Sequence, residues 1–217
     1  SGEEEQYSAA RIALPAVIDA LEAGEKQDNR PAFVKNAKNE GVMTPGAVQY
    51  CAEGYNMAEL GFGYDGATAV MKTILATDYL WNRIRVLGGA YGAILTIRPN
   101  GTVLLSSYRD PTLENTYKVY DGMAEYLEKF DPSRREMDKY ILGTLQELDA
   151  PKVGQLAHST ALGNYMTGFT KAMQQKLRAE AIAADAKAIR AKAALANAVC
   201  KKHYICAVGN SEKINAA

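Results

Sequence analysis

Asp78-Tyr79-Leu80-Trp81-Asn82-Arg83-Ile84-Arg85-Val86-Leu87-Gly88-Gly89-Ala90-Tyr91-Gly92-Ala93 is the stretch from which the fold is read. It opens as the end of an amphipathic helix, breaks at two glycines and resumes as a strand. Gly88 or Gly89 can take the left-handed conformation that closes a helix without a Cβ penalty. Ala90 to Ile97 is rich in strand formers, and Pro99-Asn100-Gly101 turns the run into a hairpin with Thr102–Tyr108. One guanidinium, Arg85, is thereby set on the last helical turn, and one phenol, Tyr91, at the start of a strand. A rigid corner of this kind can aim two hydrogen-bond donors at one point. Periodicity alone leaves a plainer alternative open: the glycines only cap the helix, Arg85 complements its C-terminus, and Tyr91 is an amphipathic edge residue.

Working outward, the helix that carries Arg85 is predicted over Ala67–Arg85, with Val70, Met71, Ile74, Leu75 and Leu80 as its buried side. Trp81 is assigned to the core, the alternative being the wall of a groove. Before this helix lies Gly61-Phe62-Gly63-Tyr64-Asp65-Gly66, which has the spacing of a G-x-G-x-x-G phosphate loop. No βαβ context surrounds it, no Lys-Ser/Thr follows and no acidic partner is placed for a ribose, so it is read as a flexible loop. Further upstream a strand is predicted from Ala47 to about Tyr55. Val48, Tyr50 and Ala52 fall on one face and Gln49 and Cys51 on the other.

Residues 1 to about 30 are charged, with a helix from about Leu14 to Glu22 that places Pro15 in its first turn and ends at Asp28-Asn29-Arg30-Pro31. Residues 1–40 are read as a helical connector or the tail of a preceding unit, and 41–217 as the domain proper. Downstream of the hairpin, Asp110 is expected to cap the next helix with Pro111 at its first position. Leu113, Tyr117, Tyr120, Ala124 and Leu127 recur along it at helical spacing. Ser133-x-x-Glu136 is a capping box opening another helix, with Met137, Tyr140, Ile141, Leu145 and Leu148 facing inward and Asp149-Ala150-Pro151 as its stop. Residues 152–168 form a connection of unassigned shape. Thr170–Lys201 has helical composition without a heptad, and His203–Val208 is a final strand. The order of elements predicts an α+β, two-layer sandwich, with helices packed on one face of a mostly antiparallel sheet.

At 217 residues the chain can bury a substantial core. Twenty-five basic residues balance 25 acidic ones, which argues against a nucleic-acid or membrane-surface partner. No run of 18 apolar residues and no charged-then-apolar leader occurs, so an intracellular, cytoplasmic location is expected, with an organelle matrix as the eukaryotic counterpart. Cys51, Cys200 and Cys206 form no C-x-x-C pair and read as reduced thiols. Ser1-Gly2 without a leading Met suggests a piece of something longer.

Arg85-x-x-Gly88-Gly89-x-Tyr91-Gly92 resembles the arginine–tyrosine motif in the C-terminal half of pitrilysin/insulinase-type zinc peptidases, and its six-residue spacing resembles the presequence-protease subfamily most. The resemblance continues through Met43-Thr44-Pro45, Val48-Gln49-Tyr50, Ser107-Tyr108-Arg109-Asp110-Pro111, Leu142-Gly143-Thr144, Leu148-Asp149-Ala150-Pro151 and Ile205-Cys206-Ala207-Val208-Gly209-Asn210. It covers roughly residues 41 to 215, and it implies the two-layer architecture of metallopeptidase LuxS/processing-peptidase-like domains.

The chain carries two histidines, His158 and His203, and neither H-E-x-x-H nor H-x-x-E-H. No catalytic metal is therefore expected on this chain, and no cleavage by it alone. The resemblance implies that zinc and the general base belong to an N-terminal half, the partner of this domain, and that the C-terminal half closes over unstructured peptide substrates. Carried over by resemblance, Arg85 and Tyr91 are the catalytic and substrate-binding candidates. Gly88, Gly89 and Gly92 would let backbone approach the peptide, and Asn82 is a weaker candidate one turn before Arg85. A non-catalytic scaffold or peptide-binding module on the same fold is the competing reading.

Overall fold

The computed structural model describes residues 4–22, 24 and 39–216. The chain divides into two compact units, residues 1–36 with 151–170 and residues 37–150 with 171–217. Among the described residues the first unit holds two helices, α1 (Glu4–Asp19) and α6 (Gly154–Thr167). Neither buries a residue. α1 begins ten residues earlier than the periodicity suggested, so Pro15 lies inside it rather than in its first turn, where the missing N–H removes a helical hydrogen bond. Glu4 and Glu5 supply the favourable acidic first turn instead. The expected break at Asp28–Pro31 lies outside the described residues. α6 is a helix where no shape had been assigned, closed by Gly168 in the left-handed region (φ 69°).

The second unit is built on a five-stranded sheet in the order β1-β5-β2-β4-β3: β1 (Glu40–Thr44), β2 (Tyr50–Asn56), β3 (Gly92–Ile97), β4 (Thr102–Tyr108) and β5 (Ile205–Asn210). β1 was not anticipated from the sequence. It runs parallel to β5, whereas the other three pairings are antiparallel. The β3–β4 hairpin has the expected register, Gly92 opposite Tyr108 and Ile97 opposite Val103, turned by Gly101 at φ 92°. The alternation along the strands separates two faces. Cys51, Leu95, Ile97, Val103, Leu105 and Ala207 are buried, whereas Tyr50, Ile94, Leu104 and Tyr108 are exposed.

Buried residues of α2 (Gly66–Ile74), α3 (Glu114–Asp121), α4 (Met123–Glu128), α5 (Arg134–Leu148), α8 (Ala186–Ala191) and α9 (Ala193–Cys200) join the inward strand residues in one core. Met71, Ile74, Leu80, Ile84, Leu105, Tyr120, Leu127, Ile189 and Leu195 are its largest fully buried side chains alongside Met57 and Leu75. Each such aliphatic side chain contributes roughly 1.5–3 kcal/mol by leaving water. The α+β, two-layer reading holds, with helices packed on one face of a mostly antiparallel sheet.

Three local expectations change. The region Thr170–Lys201 is not one helix but α7 (Lys171–Ile182), α8 and α9: Asp185 restarts the chain as α8, its carboxylate accepting from Ala188 N at 2.7 Å, and a second break falls at Lys192. Asp110 does not cap α3, which starts at Glu114. Its buried carboxylate instead accepts from Thr112 N (2.9 Å), Thr112 Oγ1 (3.0 Å) and Thr116 Oγ1 (2.6 Å), closing the turn that precedes the helix. The Ser133–Glu136 capping box on α5 forms as expected.

The third concerns the glycine-rich segment. Gly61 (φ 82°) ends a 3-10 turn over Met57–Leu60, and Asp65 then caps α2 by accepting from Thr68 N and Thr68 Oγ1, both at 2.8 Å. Gly66 N donates to Glu180 Oε2 at 3.0 Å, and Lys192 pairs with the other Asp65 oxygen at 2.6 Å. Two carboxylates already occupy this helix N-terminus, so it has no room electrostatically for a phosphate. Gly66 is required for packing: a Cβ there would lie 2.1 Å from Ala181 N and 2.4 Å from Glu180 C, both backbone atoms. Gly66→Ala is expected to destabilise the chain by about 3 kcal/mol or more through this overpacking. A urea-denaturation midpoint equal to that of the wild type would show that α7 yields freely.

Candidate functional site

The helix carrying Arg85 starts as α2 and continues from Leu75 to Leu87 as a π-helix, with i→i+5 bonding in place of the α pattern. Its buried residues, Leu75, Tyr79, Leu80 and Ile84, recur at intervals of four and five, not three and four. That spacing leaves Trp81 outside the core. Trp81 is 41% exposed, which corrects its assignment to the core. Two hydrogen bonds anchor this segment: Tyr79 Oη donates to Val119 O at 2.8 Å, and Tyr140 Oη donates to the Asp78 carboxylate.

Of the two glycines that end the helix, Gly89 takes the left-handed conformation (φ 81°), and Gly88 stays right-handed (φ −81°). Gly89 N donates to Arg85 O and Ala90 N to Ile84 O, each at 3.0 Å, so the last turn is closed by backbone and the chain enters β3 directly. A Cβ on Gly88 would lie 2.5 Å from Ile84 O, so both positions need glycine for the corner itself. Gly92 differs. A Cβ there would make ordinary contact with Tyr108 Cβ at 3.8 Å.

The corner brings Arg85 and Tyr91 together. The Arg85 guanidinium carbon lies 4.2 Å from the Trp81 ring centroid and 5.7 Å from that of Tyr91. Tyr91, 66% exposed, meets Tyr108 edge-on at 5.7 Å, and Tyr108 meets Tyr50 edge-on at 5.4 Å. Tyr91 N also donates to Tyr108 O at 3.0 Å. A continuous exposed strip, Trp81–Arg85–Tyr91–Tyr108–Tyr50, thus runs from the end of the helix onto the open face of the sheet. Sequence reasoning missed Tyr108 and Tyr50 as its continuation. The available signal was that each stands on the outward parity of a strand. Asn82 is exposed, but its Nδ2 donates to Asp78 O at 2.7 Å, folding the amide back on its own helix.

A second cluster lies beneath the sheet. Glu53 is 1% exposed, and its Oε1 has no hydrogen-bond partner. Glu53, Asp121 and Cys200 offer ligand atoms within 4.8 Å of one another. Burial, with the nearby Asp121 charge, pushes the Glu53 carboxyl up to about 8, so it is largely a neutral acid at pH 7. Burial likewise pushes the Cys200 thiol up, and its Sγ lies 3.5 Å from Tyr120 O. The cluster thus pairs a buried acid and a buried thiol, both raised by burial, with the exposed carboxylate of Asp121. His158 stands on α6 and His203 in a left-handed turn (φ 49°) before β5; both are exposed. The described residues therefore do not present the two-histidine, one-carboxylate set that a catalytic zinc needs.

Solved structures place the fold. A peptidase M16 inactive domain from Pseudomonas fluorescens superposes with a TM-score of 0.57 at 18% identity, covering 94% of this chain and 51% of that one. Pitrilysin superposes with a TM-score of 0.59 at 14% identity, covering 94% of this chain and 23% of that one. These likenesses define the class, an α+β domain of the pitrilysin peptidase fold. The particular family follows from sequence: the family model described as PreP C-terminal domain matches residues 39–210, and the chain belongs to that family. Protein HypA of Clostridium perfringens is 38% identical over 214 residues, covering 99% of this chain and 22% of its own length. Presequence protease 1, chloroplastic/mitochondrial, of Arabidopsis thaliana is 30% identical over 181 residues, covering 83% of this chain and 17% of its own. The chain spans about a fifth of the length of these relatives. No described helix is long and apolar enough to cross a membrane.

Proposed function

We propose that this chain is the substrate-clamping C-terminal domain of a zinc metalloendopeptidase that degrades unstructured peptides. Arg85 and Tyr91 bind the peptide and stabilise the transition state; zinc and the general base reside in a preceding half. The observation that carries the reading is the exposed Arg85–Tyr91 pair, held at a helix-to-strand corner whose geometry is enforced by Gly88 and Gly89. When water adds to a peptide carbonyl, negative charge grows on the oxygen. A guanidinium and a phenol fixed beforehand near that oxygen favour the transition state over the ground state. Zinc, when bound by the other half, would supply the activated water. No residue described here holds it.

Membership in the PreP C-terminal domain family supports the peptidase reading, and the relatives named for mitochondria or chloroplasts support an organelle matrix as the location, with the cytoplasm as the alternative. Gly92 and Asn82 take secondary places, since the space at Gly92 and the intrahelical bond of Asn82 require no substrate contact. The test compares the 217-residue chain with the complete enzyme on an unstructured fluorogenic peptide. Turnover is expected only with the zinc-bearing half present, and should be lost on chelation. A complete enzyme that binds peptides and never cleaves them would leave a peptide-binding module as the function.

A further inference from the structure

Trp81 is the one tryptophan of the chain, and the proposed chemistry assigns it no part. Its ring is 41% exposed, and a charged side chain lies over its face. The π-helix sets residues 81 and 85 on the same outer side, one turn apart. The guanidinium carbon of Arg85 lies 4.2 Å from the indole centroid, the closest of the cation–ring contacts at this corner. Arg85 otherwise has a long, flexible, exposed side chain, and fixing such a chain costs entropy that a catalytic group must not lose afresh at every turnover. An aromatic face is what orients a guanidinium while leaving its N–H edge free, because stacking uses the plane and hydrogen bonding uses the rim.

We infer that Trp81 is a positioning residue: its indole face holds the Arg85 guanidinium beside Tyr91 in the orientation that meets the substrate. The inference rests on the proposed roles of Arg85 and Tyr91 and adds the device that presets one of them. Trp81 itself touches no reacting atom. Its removal therefore acts only through Arg85, and that property separates positioning from a direct substrate contact.

The decisive experiment is a double-mutant cycle in the complete enzyme, joined to fluorescence of the 217-residue chain. Trp81→Leu is expected to lower kcat/KM by about ten- to a hundredfold, since a misplacement of roughly 1 Å can cost a hundredfold. Trp81→Phe should retain most of the activity because it keeps an aromatic face. In an Arg85→Ala background, Trp81→Leu should have no further effect. Acrylamide quenching of Trp81 in the single-tryptophan chain should increase in Arg85→Ala, because one face of the indole loses its cover. This fluorescence arm does not depend on the folding of any Trp81 variant. An unchanged quenching constant would overturn the inference. So would an additive loss in the double variant, which would make Trp81 a substrate contact. If Trp81→Leu is fully active while Arg85→Ala or Tyr91→Phe is not, the positioning role fails and the proposed function stands. If none of the three loses activity, the proposed function fails with it.

Discussion

Tyr91→Phe in the complete enzyme is expected to lower kcat by roughly a hundred- to a thousandfold, the usual consequence of deleting one oxyanion donor. The substitution removes a single oxygen. The ring contact with Tyr108 at 5.7 Å and the packing beside Arg85 involve the ring and not the hydroxyl. Tyr91 is 66% exposed, so its hydroxyl has little part in folding, and the melting temperature and zinc content should be unchanged. The loss is expected in kcat and kcat/KM together, because the hydroxyl interacts most strongly with charge that exists only in the transition state. A change confined to KM would make Tyr91 a ground-state contact. Full activity would remove it from the mechanism.

Glu53→Gln is expected to stabilise the 217-residue chain, and by an amount that depends on pH. The folded carboxyl is raised to about 8, against an unfolded value near 4.3, through burial and the neighbouring Asp121 charge. For an acid raised on folding, the folded state holds the proton that the unfolded state has released. Stability is greatest below the unfolded value, falls as pH rises from there towards 8, and is level above it. Across that window the cost is on the order of 3–5 kcal/mol at 1.36 kcal/mol per pH unit. Glutamine has nearly the same shape and a permanent N–H donor, so it mimics the neutral acid while never ionising. The urea midpoint of the wild type should therefore drop between about pH 5 and pH 8, and that of Glu53→Gln should stay nearly level. Parallel pH profiles for the two proteins would show that Glu53 titrates normally. Below pH 5 the two should coincide.

The main architecture was legible because it rests on local rules that a single chain displays. The hairpin followed from Pro99-Asn100-Gly101 between strand formers, and the α5 start from Ser133-x-x-Glu136. The Arg85–Gly88–Gly89–Tyr91 corner followed from one glycine's access to positive φ. These features are set by neighbours a few residues apart, so spacing suffices to find them. Tertiary structure decided the rest. Whether Gly66 belongs to a loose loop or a tight contact depends on Ala181, more than a hundred residues away. That β1 joins the sheet depends on β5, at the far end of the chain. The helix carrying Arg85 runs on as a π-helix tied to distant elements by Tyr79 and Asp78, with Trp81 outward and under the guanidinium. Glu53 looked like any strand glutamate until β2 was buried beneath α9 and beside Asp121. Sequence determined which donors this domain can offer. The packing of distant elements decided where they point and in what charge state their neighbours stand, because burial and long-range contact are properties of the folded chain alone.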